Sequence, residues 1–234
     1  MSFDAQRVTD LTFDSYGTLV DVETATEALA EYTDRTEDVS TLWRNRSLQF
    51  AMVATFTDTY QPFYEMNRDA LQYALEAYDV DVSAEQRDEI LSVYHELEVF
   101  EDVRGSMERL AEAGYGLYVL SNGDPDMLSS LVEHAEIEDL VADTISADEI
   151  ETFKPHVDLY RHAASRIGTP TEELAHVAAG WWDVPGARHA GMQGVWADRK
   201  DSPWPHYLEE PDLTIDTFHD LADALDAWET NRTA

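Results

Sequence analysis

The 234-residue chain contains no cysteine, which excludes disulfides, thiolate zinc sites and cysteine nucleophiles. Lysine is almost missing as well: of 15 basic residues only Lys154 and Lys200 are lysines. Set against 49 acidic residues, this leaves a formal net charge of −34. A surface of that sign repels nucleic acid and anionic membranes, so neither is expected as a partner. No apolar run approaches the ~20 residues that span a bilayer. The opening MSFDAQRVTD lacks a basic region followed by an apolar stretch. A cytoplasmic location is therefore the expectation. Repeats, low-complexity tracts and Pro/Gly-rich linkers are also missing.

What remains is the composition of a folded protein. Hydrophobic residues make up 44% of the chain and aromatics 11%, more than disordered acidic chains carry. The length suits one core, or a core with a smaller inserted domain. Val8 to Phe13 is a short apolar run that ends at Asp14 and the turn Ser15-Tyr16-Gly17-Thr18, as at the carboxyl end of a buried parallel strand. From about Val22 to Leu97 the periodicity is helical. Ser40 is placed to start a helix through Phe56, Pro62 opens another through Tyr78, and Ser83-Ala84-Glu85-Gln86 reads as a capping box.

Beyond residue 98, strands and helices alternate. Strands are predicted at Tyr115–Leu120, His176–Ala179 and Gly194–Ala197. Helices are predicted at Val103–Ala113, Pro125–His134, Asp158–Ile167, Pro185–Ala190 and Phe218–Trp228. The pattern implies an α/β fold, a Rossmann-like parallel sheet with right-handed crossovers. Residues 1–21 and 98–234 would form that core, and 22–97 an all-helical cap domain. In such sheets the site lies beyond the carboxyl ends of the strands, where Asp14, Ser121, Asn122 and Asp183 all fall.

By position alone Asp14 reads more readily as a turn or N-cap aspartate than as a nucleophile. The surrounding strings decide between the two. Phe13-Asp14-Ser15-Tyr16-Gly17-Thr18-Leu19 resembles the first motif of haloacid dehalogenase superfamily hydrolases, in the version typical of L-2-haloacid dehalogenases. Leu42 to Phe50, with Arg44, resembles the cap helix that carries the family's substrate-binding arginine. Leu120-Ser121-Asn122-Gly123 matches the second motif, and Phe153-Lys154-Pro155 the third, with Tyr160 six residues on. Trp182-Asp183-Val184-Pro185-Gly186 resembles the fourth. The similarity runs from about residue 8 to residue 200. The acidic, lysine-poor composition resembles that of haloarchaeal cytoplasmic proteins, which work in molar salt.

The resemblance implies a hydrolase that needs no cofactor and acts on a small 2-haloacid, with a homodimer as its expected assembly. Asp14 would be the nucleophile, with Lys154 and Thr18 fixing it and Asp183 helping water to cleave the ester. Arg44, Asn122 and Trp182 would receive the halide, and Ser121 the substrate carboxylate. Tyr16 and Tyr160 would line the substrate site. Phosphatases of the superfamily usually carry a second Asp, a general acid, at the position of Tyr16. A phenol cannot serve as a strong acid at neutral pH, and a halide leaving group needs no proton. Two alternatives remain. One is a Mg²⁺-dependent phosphatase with Asp14 and Asp183 at the metal; the other is a weakly active binding protein on the same fold. The second rests on a departure in the fourth motif. Where the family commonly has Ser and Asn, this chain reads Ala178 and Gly180. The eight histidines show no ligand spacing and receive no role, and Asp124 reads as a turn residue.

Overall fold

The computed structural model describes residues 3–232. Residues 1, 2, 233 and 234 of the expected core domain lie outside the described residues. Six parallel strands form one sheet in the order β3-β2-β1-β4-β5-β6. They are β1 (Asp10–Phe13), β2 (Gly116–Ser121), β3 (Asp143–Ser146), β4 (Leu174–Ala178), β5 (Gln193–Ala197) and β6 (Leu213–Ile215). Every residue of β4 and β5 is buried, as expected of central strands covered on both faces. The strands at the two sheet edges, β3 and β6, were not predicted. Asp-Thr-Ile-Ser and Leu-Thr-Ile are short and half-exposed, so neither carries the apolar run that betrays a central strand.

Between β1 and β2 the chain is helical: a 3-10 segment at Val22–Leu29, then α1 (Thr36–Thr57), α2 (Phe63–Ala77) and α3 (Ala84–Ser92). The excursion leaves and returns at one place. Asp21 N–H donates to Glu98 O at 2.7 Å, Phe100 N–H to Leu19 O at 3.1 Å, and Val20 bridges Val99. The predicted capping box at Ser83 and Gln86 is formed. Ser40 proves to be inside α1, which begins a turn earlier at Thr36. Its hydroxyl is used sideways instead, accepting from Thr26 and from Arg44, each at 2.8 Å.

Trp43, fully buried, pins α1 to α2 by donating its indole N–H to Asn67 O at 2.9 Å. The excursion is tied to the sheet by Phe153 N–H on Thr55 Oγ1 and by Tyr60 OH on Asp148. A further tie runs from Tyr64 N–H to Asp124 Oδ2. Asp124 is thus more than a turn residue, since it also caps α5 (Pro125–His134) through Met127 N–H. The sheet is flanked by α4 (Val103–Glu112) with α8 (Phe218–Arg232), and by α6 (Val157–Ile167) with α7 (Asp183–Ala190).

Candidate active site

The strand ends converge on Asp14. Its Oδ1 accepts from Lys154 Nζ at 2.9 Å and its Oδ2 from Thr18 Oγ1 at 2.7 Å. Thr18 Oγ1 in turn accepts Ala179 N–H at 2.9 Å, so the loop after β4 fixes the hydroxyl that fixes the nucleophile. The turn is possible because Gly17 adopts φ +86°, where a Cβ would be strained. Lys154 arrives from the loop between β3 and α6. Its backbone N–H is held by Asn122 Oδ1 at 2.8 Å, which leaves the Asn122 NH₂ as that side chain's donor.

Behind the nucleophile lies a buried polar cluster. Lys154 Nζ also donates to Asp183 Oδ2 at 2.7 Å, and the same oxygen lies 3.0 Å from His176 Nε2. Tyr160 OH donates to Asp183 Oδ1 and, at 3.1 Å, lies against Asp183 O. His176 Nδ1 meets Thr12 Oγ1 at 2.8 Å across the β1–β4 register. Lys154, Tyr160, His176 and Asp183 are all buried. Burial pulls the Lys154 ammonium down, but the charges of Asp14 and Asp183 outweigh it and leave its pKa raised. Burial pushes the Asp183 carboxyl up, and His176 and Lys154 together overcome this and hold it below the ordinary carboxylate range. Burial and Asp183 push the Tyr160 phenol well above its usual value.

In front of Asp14 opens a cavity of about 340 Å³, at the small end of ligand sites. The helical excursion contributes Val22, Arg44, Leu48, Phe63 and Tyr94; the sheet side contributes Asp14, Tyr16, Trp182 and Arg199. Tyr16 packs on Tyr94 at 5.6 Å between ring centroids, and Tyr94 on Trp43 at 5.2 Å. The Tyr16 hydroxyl is buried without a hydrogen-bond partner, and burial first, then Asp124, pushes its pKa well up. It is a neutral phenol.

Several expected residues thus stand together and others stand apart. Asp14, Thr18, Lys154 and Asp183 form one connected cluster, and Arg44, Tyr16 and Trp182 line the cavity before it. Tyr160 does not reach the cavity: its hydroxyl is spent on Asp183, which corrects its expected place in the substrate site. Asp183 is likewise enclosed, with both oxygens occupied, and is linked to Asp14 through Lys154. Ser121 Oγ is engaged with Ser15 Oγ at 2.6 Å and with Gly123 N–H at 2.9 Å, bracing the two loops. His176 was missed. A histidine within Leu-Ala-His-Val-Ala, an otherwise apolar and fully buried strand, was the available signal, because a buried imidazole needs partners.

Gly180 carries a second surprise. A Cβ there would lie 3.0–3.2 Å from the Trp182 indole. The ring fills the space that a side chain at 180 would need. For a metal, the arrangement is a poor fit. Lys154 Nζ stands between Asp14 and Asp183, so a divalent ion bridging those carboxylates would meet a fixed positive charge. Among the described residues no group of three or more His, Asp or Glu forms a metal cluster.

Residues 11–191 match the family model described as haloacid dehalogenase-like hydrolase. The chain is 32% identical over 200 residues to (S)-2-haloacid dehalogenase 4A of Burkholderia cepacia, covering 85% of this chain and 86% of that one. It is 29% identical to (S)-2-haloacid dehalogenase 2 of Pseudomonas sp. strain CBS-3, over 97% of this chain and 100% of the relative. Among solved structures it is similar to L-2-haloacid dehalogenase from Xanthobacter autotrophicus with chloropropionic acid covalently bound. The TM-score is 0.88 and the identity 26%, with 94% of this chain and 98% of that one covered.

Proposed function

The chain belongs to the haloacid dehalogenase-like hydrolases, and from that premise we propose that it is an (S)-2-haloacid dehalogenase with Asp14 as nucleophile. The observation that carries the reading is the setting of Asp14. One oxygen is held by an ammonium and the other by a hydroxyl, at the floor of a small cavity whose neighbouring phenol is no acid. That arrangement suits a carboxylate that must attack carbon and a leaving group that needs no proton.

In the first half-reaction an Asp14 oxygen attacks C2 of the haloacid in line. The carbon–halogen bond breaks, halide leaves with the bonding pair, and an aspartyl ester remains. Arg44 and the Asn122 NH₂ receive the anionic groups, with the Trp182 ring as an apolar wall. In the second half-reaction water adds to the ester carbonyl of Asp14. The carboxylate and a 2-hydroxy acid result, with one proton released. Lys154 keeps an ammonium beside the reacting carbonyl in both steps, where preorganised charge is most effective. Asp183, His176 and Tyr160 hold Lys154 in place, and no step uses a cofactor.

Residues 22–97 act as the cap that closes the cavity, over a core of 1–21 and 98–234. Exclusion of bulk water strengthens each electrostatic contact inside. The reading extends to a homodimer, to be checked by light scattering. It also extends to a cytoplasmic location. The test is bromide release from (S)-2-bromopropionate in high-salt buffer with EDTA. Phosphate release from p-nitrophenyl phosphate with Mg²⁺ is measured alongside. Bromide release that survives EDTA and falls at least ~10⁴-fold in Asp14→Asn is expected. Retained turnover in that variant would overturn the assignment.

A further inference from the structure

Arg199 lines the cavity wall, yet its guanidinium is spent inside the protein. Nη1 donates to Asp102 Oδ2 at 2.6 Å and Nη2 to Thr18 O at 3.0 Å. The group lies between the rings of Phe100 and Phe218, 4.3 and 4.7 Å from their centroids. Its side chain is 8% exposed. Lys200, next in the chain, is 58% exposed and pairs with Glu23, whose other oxygen holds Arg44. Adjacent residues of one loop thus have opposite fates.

The Arg199 contacts are not those of a simple buried ion pair. A guanidinium serving only to neutralise Asp102 would set two nitrogens against both carboxylate oxygens. Here one arm goes to the carboxylate and the other to a backbone carbonyl, while Nε is buried without a partner, a costly omission. The Asp102 oxygen that holds Nη1 also accepts Phe218 N–H at 2.6 Å. The rigid fork therefore fixes Thr18 O relative to the heads of α4 and α8.

Thr18 is where the fork meets the nucleophile. Its hydroxyl donates to Asp14 Oδ2 and accepts Ala179 N–H. The N–H groups of Thr18, Leu19 and Val20 all donate to Ser15 O, at 3.2, 2.8 and 3.3 Å, which ties the turn to itself. Among the described residues no donor other than Arg199 reaches Thr18 O.

We propose that Arg199 is a positioning residue for the nucleophile, acting through Thr18. By anchoring the Thr18 carbonyl it sets the rotation of that residue, and with it the direction from which the hydroxyl reaches Asp14. A carboxylate that attacks in line tolerates little drift. Phe100, stacked on the same guanidinium, lies on the return from the helical excursion, where its N–H holds Leu19 O. The turn that carries Asp14 and the hinge of the cap thus share one anchor. The effect on rate rests on the dehalogenase reading; the anchor itself does not.

The test uses the full chain as wild type, Arg199→Lys, Asp102→Asn, Thr18→Val, and Thr18→Val combined with Arg199→Lys. The control is Arg109→Lys, at a residue that ties α4 to Asp223 and Asp226 of α8. Two quantities are measured: hydrogen exchange of the amides of residues 15–20, and kcat and KM for bromide release from (S)-2-bromopropionate. In Arg199→Lys the ammonium keeps its charge for Asp102 but has no second arm for Thr18 O. Exchange in the turn should quicken about ten-fold, and kcat should fall about ten-fold at unchanged KM. Asp102→Asn keeps an acceptor for Phe218 N–H but loosens the guanidinium from its other end, and should lower kcat about three-fold. With the Thr18 hydroxyl already removed, Arg199→Lys should cost less than about two-fold more. Arg109→Lys should match wild type in both measurements. Wild-type exchange of the turn amides in Arg199→Lys, or an equal ten-fold loss of kcat with and without the Thr18 hydroxyl, would overturn the proposal. A wild type that releases no bromide would overturn the enzymatic reading instead, and exchange in the turn would still decide the anchor.

Discussion

Behind Asp14, the side chains of Lys154, Asp183, Tyr160, His176 and Thr12 each hold a polar partner, and all five are buried. In front of it, Arg44 holds the partly exposed carboxylate of Glu23, Tyr16 has an unpartnered hydroxyl and Trp182 leans into the space over Gly180. The rear is a closed network whose members depend on one another; the front is a set of groups that can be re-paired by a ligand. Such networks are costly to break and cheap to keep, because a buried polar group without a partner loses its solvation for nothing. The comparison therefore predicts large effects on stability and rate from the rear, and modest effects, mainly on ligand choice, from the front.

Lys154→Met should break the rear most completely. It leaves Asp14 and Asp183 buried with the only ammonium between them removed. Loss of one partner of a buried pair costs about 3–5 kcal/mol, read as a lower midpoint in denaturant. Bromide release should vanish with it. If the variant kept wild-type stability, the two carboxylates would not depend on Lys154 and the closed-network description would fail.

The same network has a pH signature. Asp183 is held below its unfolded value, so its contribution to stability is present above the ordinary carboxylate range. That contribution is lost as pH falls from that range through the folded value. Lys154 is raised, so its contribution is complete below the ordinary lysine range and is lost only as pH rises beyond it. Thermal unfolding from pH 3 to pH 7 should accordingly show a rise in melting temperature that Asp183→Asn flattens. A parallel rise in that variant would assign the acid sensitivity to other carboxylates.

His176→Phe sharpens the comparison, since it removes the contacts to Asp183 and to Thr12 while keeping an aromatic ring on the strand. Asp183 loses a partner at 3.0 Å but keeps Lys154 and Tyr160. A drop of roughly 10–100-fold in kcat with little change in KM is expected, by analogy with lost outer contacts to catalytic ligands. Ester should accumulate on Asp14 by intact mass, and His176→Gln should recover part of the rate. A change confined to KM would place His176 on the substrate side instead.

How much of this was legible in the sequence follows the same division. The sheet, the helical excursion and the positions of Asp14, Thr18, Lys154 and Asp183 could be read, because strand ends, tight turns and local strings are neighbours in sequence. The two edge strands could not, since short half-exposed segments carry no periodic signal. Tyr160 could be named but not placed, and His176 received no role. Whether a polar side chain faces the cavity or the rear depends on strand register, and Thr12 opposite His176 is known only once β1 and β4 are paired. The Glu23 contact joins residues 21 and 177 positions apart, which no local pattern encodes.

The smallest expected effect lies at the front, at Gly180. Restoring an amide with Gly180→Asn would seem to repair the fourth motif, and a reading from motifs alone predicts faster ester hydrolysis. The geometry predicts otherwise. The new Cβ would stand 3.0–3.2 Å from the Trp182 ring, closer than comfortable contact, and the partly exposed indole must tilt to admit it. Overpacking of this kind costs about 1 kcal/mol. A small fall in melting temperature and no gain in rate are therefore expected. A clear gain would mean that the indole yields freely, and that Trp182 occupies the gap above Gly180 without substituting for the missing amide.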